Sequence, residues 1–388
     1  MKDSIANIMV RRYADAGASV MFGVACEIFI LAPQTGGAMP ANTRHAILIA
    51  AWTTPLLLAA AAHAETMDEL YAKAKSEGQV VFYSGGPVAP YERFAKDFEQ
   101  RFPGVKVSIT GGFSNVLNER INTQLHDNKL EVDMAFFQTA QDFVAWKKDG
   151  VLLNFKPEGY DQIAREFRDP DGAFTTTKVN AITYAYNTKA VSPNDVPKSA
   201  LDFLKPQFAG KLITCYPADD DATLYLFYVI VQKYGWSYVD RYMANKPNFV
   251  QGHLSVARSV GSGQDIATFD GTSSVEAVAK DGAPVASVFS AEDPTPLFTL
   301  TTGIFKAAPH PNAAKLFLTW YMAKEQQSRI GVFSARTDVP PPHGLKPLSS
   351  YNVANGYRDF VSNAPQLAEL RKRFEGYTGP VVNKGGVR

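Results

Sequence analysis

Residues 79–112 read QVVFYSGGPVAPYERFAKDFEQRFPGVKVSITGG, and the fold follows from them. The run QVVFY is β-rich and stops at Ser84-Gly85-Gly86-Pro87. Tyr91, Phe94, Ala95, Phe98 and Phe102 then recur at helical spacing until Pro103-Gly104 breaks the pattern. An alternating strand, VKVSI, follows and ends at Thr110-Gly111-Gly112. A strand, a crossover helix and a second strand form one parallel βαβ unit.

Working outward, the same alternation continues on both sides. Upstream, Thr66-Met67-Asp68-Glu69 has the form of a capping box that opens a short helix, and Gly78 ends it. Downstream, Leu117, Ile121 and Leu125 mark a helix, VDMAFF (132–137) a third strand, and Phe143 and Trp146 a further helix closed by Gly150. The expected class is α/β with a parallel, doubly wound sheet, whose ligand sits beyond the carboxyl ends of the strands. Those ends offer Ser84, Gly85 and Gly86, then Gly112 and Ser114, then Gln138. Each leads into a helix and so presents free backbone N–H groups. Small residues also suit tight turns, but three such turns in one register favour a site.

ITYAYN (182–187) reads as a strand leaving this unit, and a second α/β unit opens after Pro197. It contains the strand KLITCY (211–216), the acidic turn Asp219-Asp220-Asp221, and an all-round apolar, hence buried, helix through Tyr234. Strands are expected over 263–269 and 285–289, a helix over 311–326, a proline-rich loop over 336–344 and a last helix near 366–374.

Composition narrows the function. Of 388 residues, 39 are Lys or Arg and 38 Asp or Glu, so no net field draws the protein to nucleic acid. Two cysteines, Cys26 and Cys215, exclude a disulfide scaffold, a thiolate zinc cluster and an iron–sulfur centre. Arg44, the apolar run of residues 45–62 and the small-residue site Ala62-His63-Ala64 have the order of a cleaved secretory signal, with Met39 as a suitable start and Glu65 as the mature N-terminus. This reading outweighs a membrane anchor, because Thr53, Thr54 and Pro55 interrupt the run.

The catalytic motifs sought do not occur: no Walker loop, dinucleotide glycine fingerprint or HExxH, and Gly112-Phe113-Ser114 lacks the closing glycine of a nucleophile elbow. His126, His253, His310 and His343 show no i, i+4 pair. A triad is assembled in space, however, and spacing does not exclude one. The acidic turn has two readings. It can be a helix N-cap with an acidic first turn, or a site for a cation or amine.

Several segments together resemble the family-1 extracellular solute-binding proteins of bacterial ABC importers, in the branch of the periplasmic ferric-iron-binding proteins. They are VVFYSGG (80–86), AKDFEQRFPGVKV (95–107), VDMAFFQTAQDFVAWKKDGVL (132–152), ITYAYNTKAV (182–191), LDFLKPQFAGKL (201–212) and KAAPHPNAAKLFLTWYMAKEQQ (306–327). The resemblance implies a type II periplasmic-binding fold of two doubly wound lobes joined by hinge strands, over residues 65–184 with 290–388 and over 185–289. The implied crossings lie near 182–187 and 285–289. It also implies a periplasmic, monomeric, non-enzymatic protein that hands a small solute to permease subunits, without cofactor, bound metal or nucleic acid. A secreted α/β hydrolase is the alternative. The expected ligand-binding residues are Ser84, Gly85, Gly86, Gly112, Ser114, Gln138 and Tyr186, with Asp219, Asp220, Thr272 and Ser273 from the second lobe. Ferric-binding relatives place adjacent tyrosines where this chain has Asp270-Gly271-Thr272-Ser273-Ser274. The solute is therefore expected to be ferric iron or a small organic amine, phosphonate or similar compound.

Overall fold

A computed structural model describes residues 65–382, so the expected signal over 45–64 lies outside the described residues. Helix α1 (Met67–Glu77) begins with the expected capping box: the Glu69 N–H donates to Thr66 Oγ1, and the Thr66 N–H donates to the Glu69 carboxylate at 2.9 Å. Gly78, at φ 77°, ends it in the left-handed region that glycine adopts without penalty.

The first sheet grows from β1 (Gln79–Gly85), with β2 (Lys106–Gly112) and β3 (Met134–Phe137) parallel on either side. Helices α2 (Ala89–Arg101), α3 (Ser114–His126) and α4 (Ala140–Lys148) follow these strands. The expectation of a wholly parallel sheet needs correction. β10 (Thr295–Ile304) runs antiparallel to β3, and β4 (Thr175–Ala181) antiparallel to β10. β10 re-enters the sheet from the second lobe and runs opposite to β3 and β4. The strand order is β11-β10-β3-β1-β2, with the two-residue β11 (Val353–Ala354) beside the start of β10.

Three segments link the lobes, the third at residues 355–356, where the chain leaves the first sheet for the tail. β4 passes into β5 (Thr183–Asn187) with only Ile182 between them, and β9 (Val285–Val288) returns through 289–294 to β10. β5 is the centre of an antiparallel sheet, β8-β5-β9, where β8 spans Ala267–Gly271. The strand expected over 263–269 thus starts four residues later, because Gly263 caps the preceding helix at φ 81°. β6 (Ile213–Cys215) and β7 (Asn248–Val250) form a parallel pair. The helices of this lobe are α5 (Asp221–Tyr234), α6 (Trp236–Ala244), α7 (His253–Ser262) and α8 (Ser273–Lys280).

The apolar residues divide into two large cores. In the first, α9 (Pro311–Met322) lays Phe317 and Tyr321 against the sheet, with Phe82–Phe136 and Phe98–Phe317 ring centroids 4.9 and 5.1 Å apart. Such tilted and edge-on pairs add about 0.5–1.5 kcal/mol each beyond area burial. The single helix expected over 311–326 breaks at Ala323 into α9 and α10 (Lys324–Gln327). The second core gathers Phe203, Phe227, Tyr238, Tyr242 and Phe269. The tail, expected with the first lobe, contributes to this second core: α11 (Tyr357–Val361) and α12 (Ala364–Thr378) bury Tyr357, Phe360, Leu367 and Phe374 there. Among the described residues no helix is long and apolar enough to cross a membrane.

Candidate functional site

A cavity of about 710 Å³ lies between the lobes, and both contribute strand-end loops to it. From the first lobe come Ser84, Gly85, Gly86, Ser114 and Gln138; from the second come Asp219, Asp220, Thr272 and Ser273. Two of the expected residues lie elsewhere. Gly112 does not line the cavity; its carbonyl accepts from the Gly86 N–H at 2.7 Å, so it shapes the loop from behind. Tyr186 shares a face of β5 with the buried Tyr184 and packs against the second core, since alternate residues of a strand point the same way.

The glycines have a steric reason. A Cβ on Gly85 would stand 2.1 Å from Ser114 Oγ, and one on Gly111 would stand 2.7 Å from the Gly86 carbonyl. Gly86 itself has φ 110°. The loops therefore approach each other at backbone distance, and the start of α3 at Ser114 opens on the cavity without a side-chain cap. Ser84 Oγ is buried with no hydrogen-bond partner among the described residues.

The acidic turn is answered largely from within the protein. Asp220 is the N-cap of α5, accepting from the Thr223 N–H at 2.8 Å, and it also accepts from Gln138 Nε2 of the other lobe at 2.9 Å. Asp219 accepts from Gln251 at 2.8 Å. Asp221 accepts from Gln141 of the first lobe at 2.7 Å and pairs with Arg371 of α12. Burial alone would raise the pKa of Asp220, but His253, the Thr223 N–H and Gln138 together hold it below the usual carboxylate range. Burial, with a smaller push from Asp221, raises Asp142 on the cavity wall to about 6.

Sequence reasoning missed the most informative residue, Lys178 on β4. It is 7 % exposed, lines the cavity, and places Nζ 4.1 Å from the centroid of the Tyr91 ring. No carboxylate or hydrogen-bond acceptor pairs with it among the described residues, and burial lowers its pKa to about 8. The available signal was that Lys178 is the only charged residue between Asp171 and Lys189.

His253, the first residue of α7, also lines the cavity and sits over Cys215 and Asp270. Its Nδ1 is 3.5 Å from both Cys215 Sγ and the Asp270 carboxylate, and its Nε2 is 3.4 Å from Asp220. Burial opposes a charge on this ring, but Cys215, Asp220 and Asp270 outweigh it and raise the pKa well above the ordinary value. The same burial pushes the Cys215 thiol up to about 12.

A cleft between two α/β lobes, lined by strand-end loops and spanned by short linking segments, defines a class of two-lobed binding proteins. Residues 84–328 match the family of bacterial extracellular solute-binding proteins, and the chain belongs to that family. Among curated proteins it is similar to a probable ABC transporter periplasmic-binding protein of Sinorhizobium fredii, at 21 % identity over 249 residues, 61 % of this chain and 68 % of that one. Among solved structures it is similar to iron-bound HitA of Pseudomonas aeruginosa, at 17 % identity and TM-score 0.65, covering 76 % of this chain and 99 % of that one. It is also similar to AfuA of Actinobacillus pleuropneumoniae with fructose-6-phosphate bound, at 19 % identity and TM-score 0.66, covering 77 % and 98 %. These structures share the type II periplasmic-binding fold. The family is one of binding proteins, which leaves the hydrolase alternative without support.

Proposed function

We propose that this protein is the periplasmic receptor of an ABC importer and closes its two lobes over a small anionic solute, such as an organic phosphate, a phosphonate or a carboxylate. The observation that carries this reading is Lys178. An ammonium group buried without a counter-charge is costly, and a solute anion would supply the missing partner. Ser84 Oγ and the uncapped start of α3 add donors of the kind that bind such anions. The AfuA likeness supports the phosphate class, since that protein is described with a sugar phosphate. Tyrosinate-held ferric iron is disfavoured: Tyr91 is the one tyrosine among the described lining residues, and burial raises its pKa. The acids of the turn are engaged by Gln138, Gln141, Gln251 and Arg371 and so give less support to a cationic solute.

Delivery to membrane permease subunits, a monomeric state and independence from nucleic acid are part of the same proposal. So are hinges at Ile182 and 289–294, at the first-lobe ends of the expected crossings near 182–187 and 285–289. Export through cleavage after Ala64 is the proposed route to the periplasm, and N-terminal sequencing of the exported protein is expected to begin at Glu65. The solute is tested by thermal melting against sugar phosphates, phosphonates, carboxylates, polyamines and ferric iron. A native-state ligand at a hundredfold its Kd stabilises by about 2.7 kcal/mol, a shift of several degrees. Stabilisation by an anion is the expected result; stabilisation by polyamines or iron alone would overturn the reading.

A further inference from the structure

The cluster beneath the cleft has a chemistry that solute capture leaves unused. We propose that Cys215, His253 and Asp270 form a binding site for one divalent cation of the zinc class. The three residues come from β6, the first turn of α7 and β8, and one donor atom from each lies within 4.8 Å of the others. Thiolate sulfur, imidazole nitrogen and carboxylate oxygen form the mixed set that a borderline-soft cation prefers.

The spacing fits the metal. Tetrahedral bonds of about 2.3 Å to sulfur and 2.0–2.1 Å to nitrogen place those two atoms about 3.5 Å apart. Cys215 Sγ and His253 Nδ1 are 3.5 Å apart, and so are His253 Nδ1 and Asp270 Oδ2, one of the two carboxylate oxygens. Asp270 is only 1 % exposed, and its Oδ1 has no hydrogen-bond partner among the described residues. An orphaned carboxylate oxygen at that depth is expensive, and a cation satisfies it. Oδ2, the oxygen beside His253, accepts from Thr214 Oγ1, Thr223 Oγ1 and the Cys215 N–H at 3.0, 3.1 and 3.2 Å. Those donors fix the carboxylate in the way that outer-shell partners orient metal ligands.

Charge points the same way. Two carboxylates, Asp220 and Asp270, flank one imidazole, so the cluster carries net negative charge in a buried place. His253 reaches the cavity wall, which gives the ion an entry path and leaves the fourth coordination position open to a water or solute atom. On binding, the Cys215 sulfur and His253 Nδ1 each give a proton to solvent, because a coordinating thiol is held as thiolate and a coordinating imidazole nitrogen carries no proton.

The test uses purified protein stripped with a chelator and titrated with Co²⁺ as the spectroscopic stand-in for Zn²⁺. The expected result is one equivalent bound, an intense thiolate-to-cobalt charge-transfer band, and its displacement by Zn²⁺. Cys215→Ser is expected to lose the band, and Asp270→Asn to weaken Zn²⁺ binding at least tenfold. Absence of the band from the unsubstituted protein would overturn the site, whatever the variants do. So would a band unchanged in a folded Cys215→Ser protein, or Zn²⁺ affinity unchanged in Asp270→Asn.

Discussion

Lys178 pairs a stability cost with a binding role. Its folded pKa, about 8, lies below the 10.5 of a free lysine, so the unfolded chain holds this proton more tightly. The group's cost to stability is fully present below pH 8 and is relieved as pH rises from about 8 toward 10.5. Anion affinity should run the other way, falling as pH climbs through 8 and the counter-charge is lost. Calorimetric titration from pH 6.5 to 9.5 checks this, and Lys178→Arg, which does not titrate in that range, should flatten the profile. Lys178→Met should raise the melting temperature of the free protein by removing a buried charge. It should also weaken anion binding by about 2 kcal/mol or more, roughly thirtyfold. A Lys178→Met protein that binds its solute unchanged would leave the anionic reading without its main support.

At the level of elements, the start of α5 holds both readings of the acidic turn in one residue. Asp220 caps the helix and also receives Gln138 from across the cleft. Asn caps about as well as Asp, whereas loss of the cap costs about 1 kcal/mol. Both substitutions lose the charge that faces His253, but Asp220→Asn keeps the cap and should therefore melt above Asp220→Ala, by the equivalent of about 1 kcal/mol, as followed by circular dichroism. The loop pair at the ends of β1 and β2 depends on missing side chains. Gly111→Ala places a methyl 2.7 Å from the Gly86 carbonyl, backbone against backbone, and the loop must move. Since Gly86 lines the cavity and Gly111 does not, a fall in solute affinity in this variant reports on loop position alone.

For the whole molecule, the structure shows polar contacts reaching across the cleft. Gln138 and Gln141 of the first lobe meet Asp220 and Asp221 of the second, and the Tyr357 hydroxyl of the tail donates to the Gln138 carbonyl at 3.1 Å. These contacts favour the closed arrangement, while the linkers at Ile182 and 289–294 are the places where a hinge can bend. Removing the two amides, as Gln138→Ala with Gln141→Ala, should open the free protein and raise its radius of gyration in small-angle scattering. Solute should restore the compact form, with affinity reduced by the population that must be recovered.

What the sequence determined by itself is local and periodic. Val80 to Gly112 carries a strand, a helix and a strand in its apolar spacing, because side chains repeat every two residues on a strand and every 3.6 on a helix. The cleft loops were legible for the related reason that Gly85, Gly86 and Ser114 stand where strands end and helices begin. The course of β4 and β10 was not legible. Their runs TTTKVNA and TPLFTLTTGI are buried along most of their length, so they lack the alternation that marks a half-solvated strand. Lys178 was hidden with them, as was the tail's move to the second core, which rests on Phe360, Leu367 and Phe374 meeting α5 and α6. Cys215 lies 38 residues from His253 and 55 from Asp270. No short spacing brings them together; only the packing of β6, α7 and β8 does, because a cluster of ligands or charges depends on distances in space while a sequence pattern records distances along the chain.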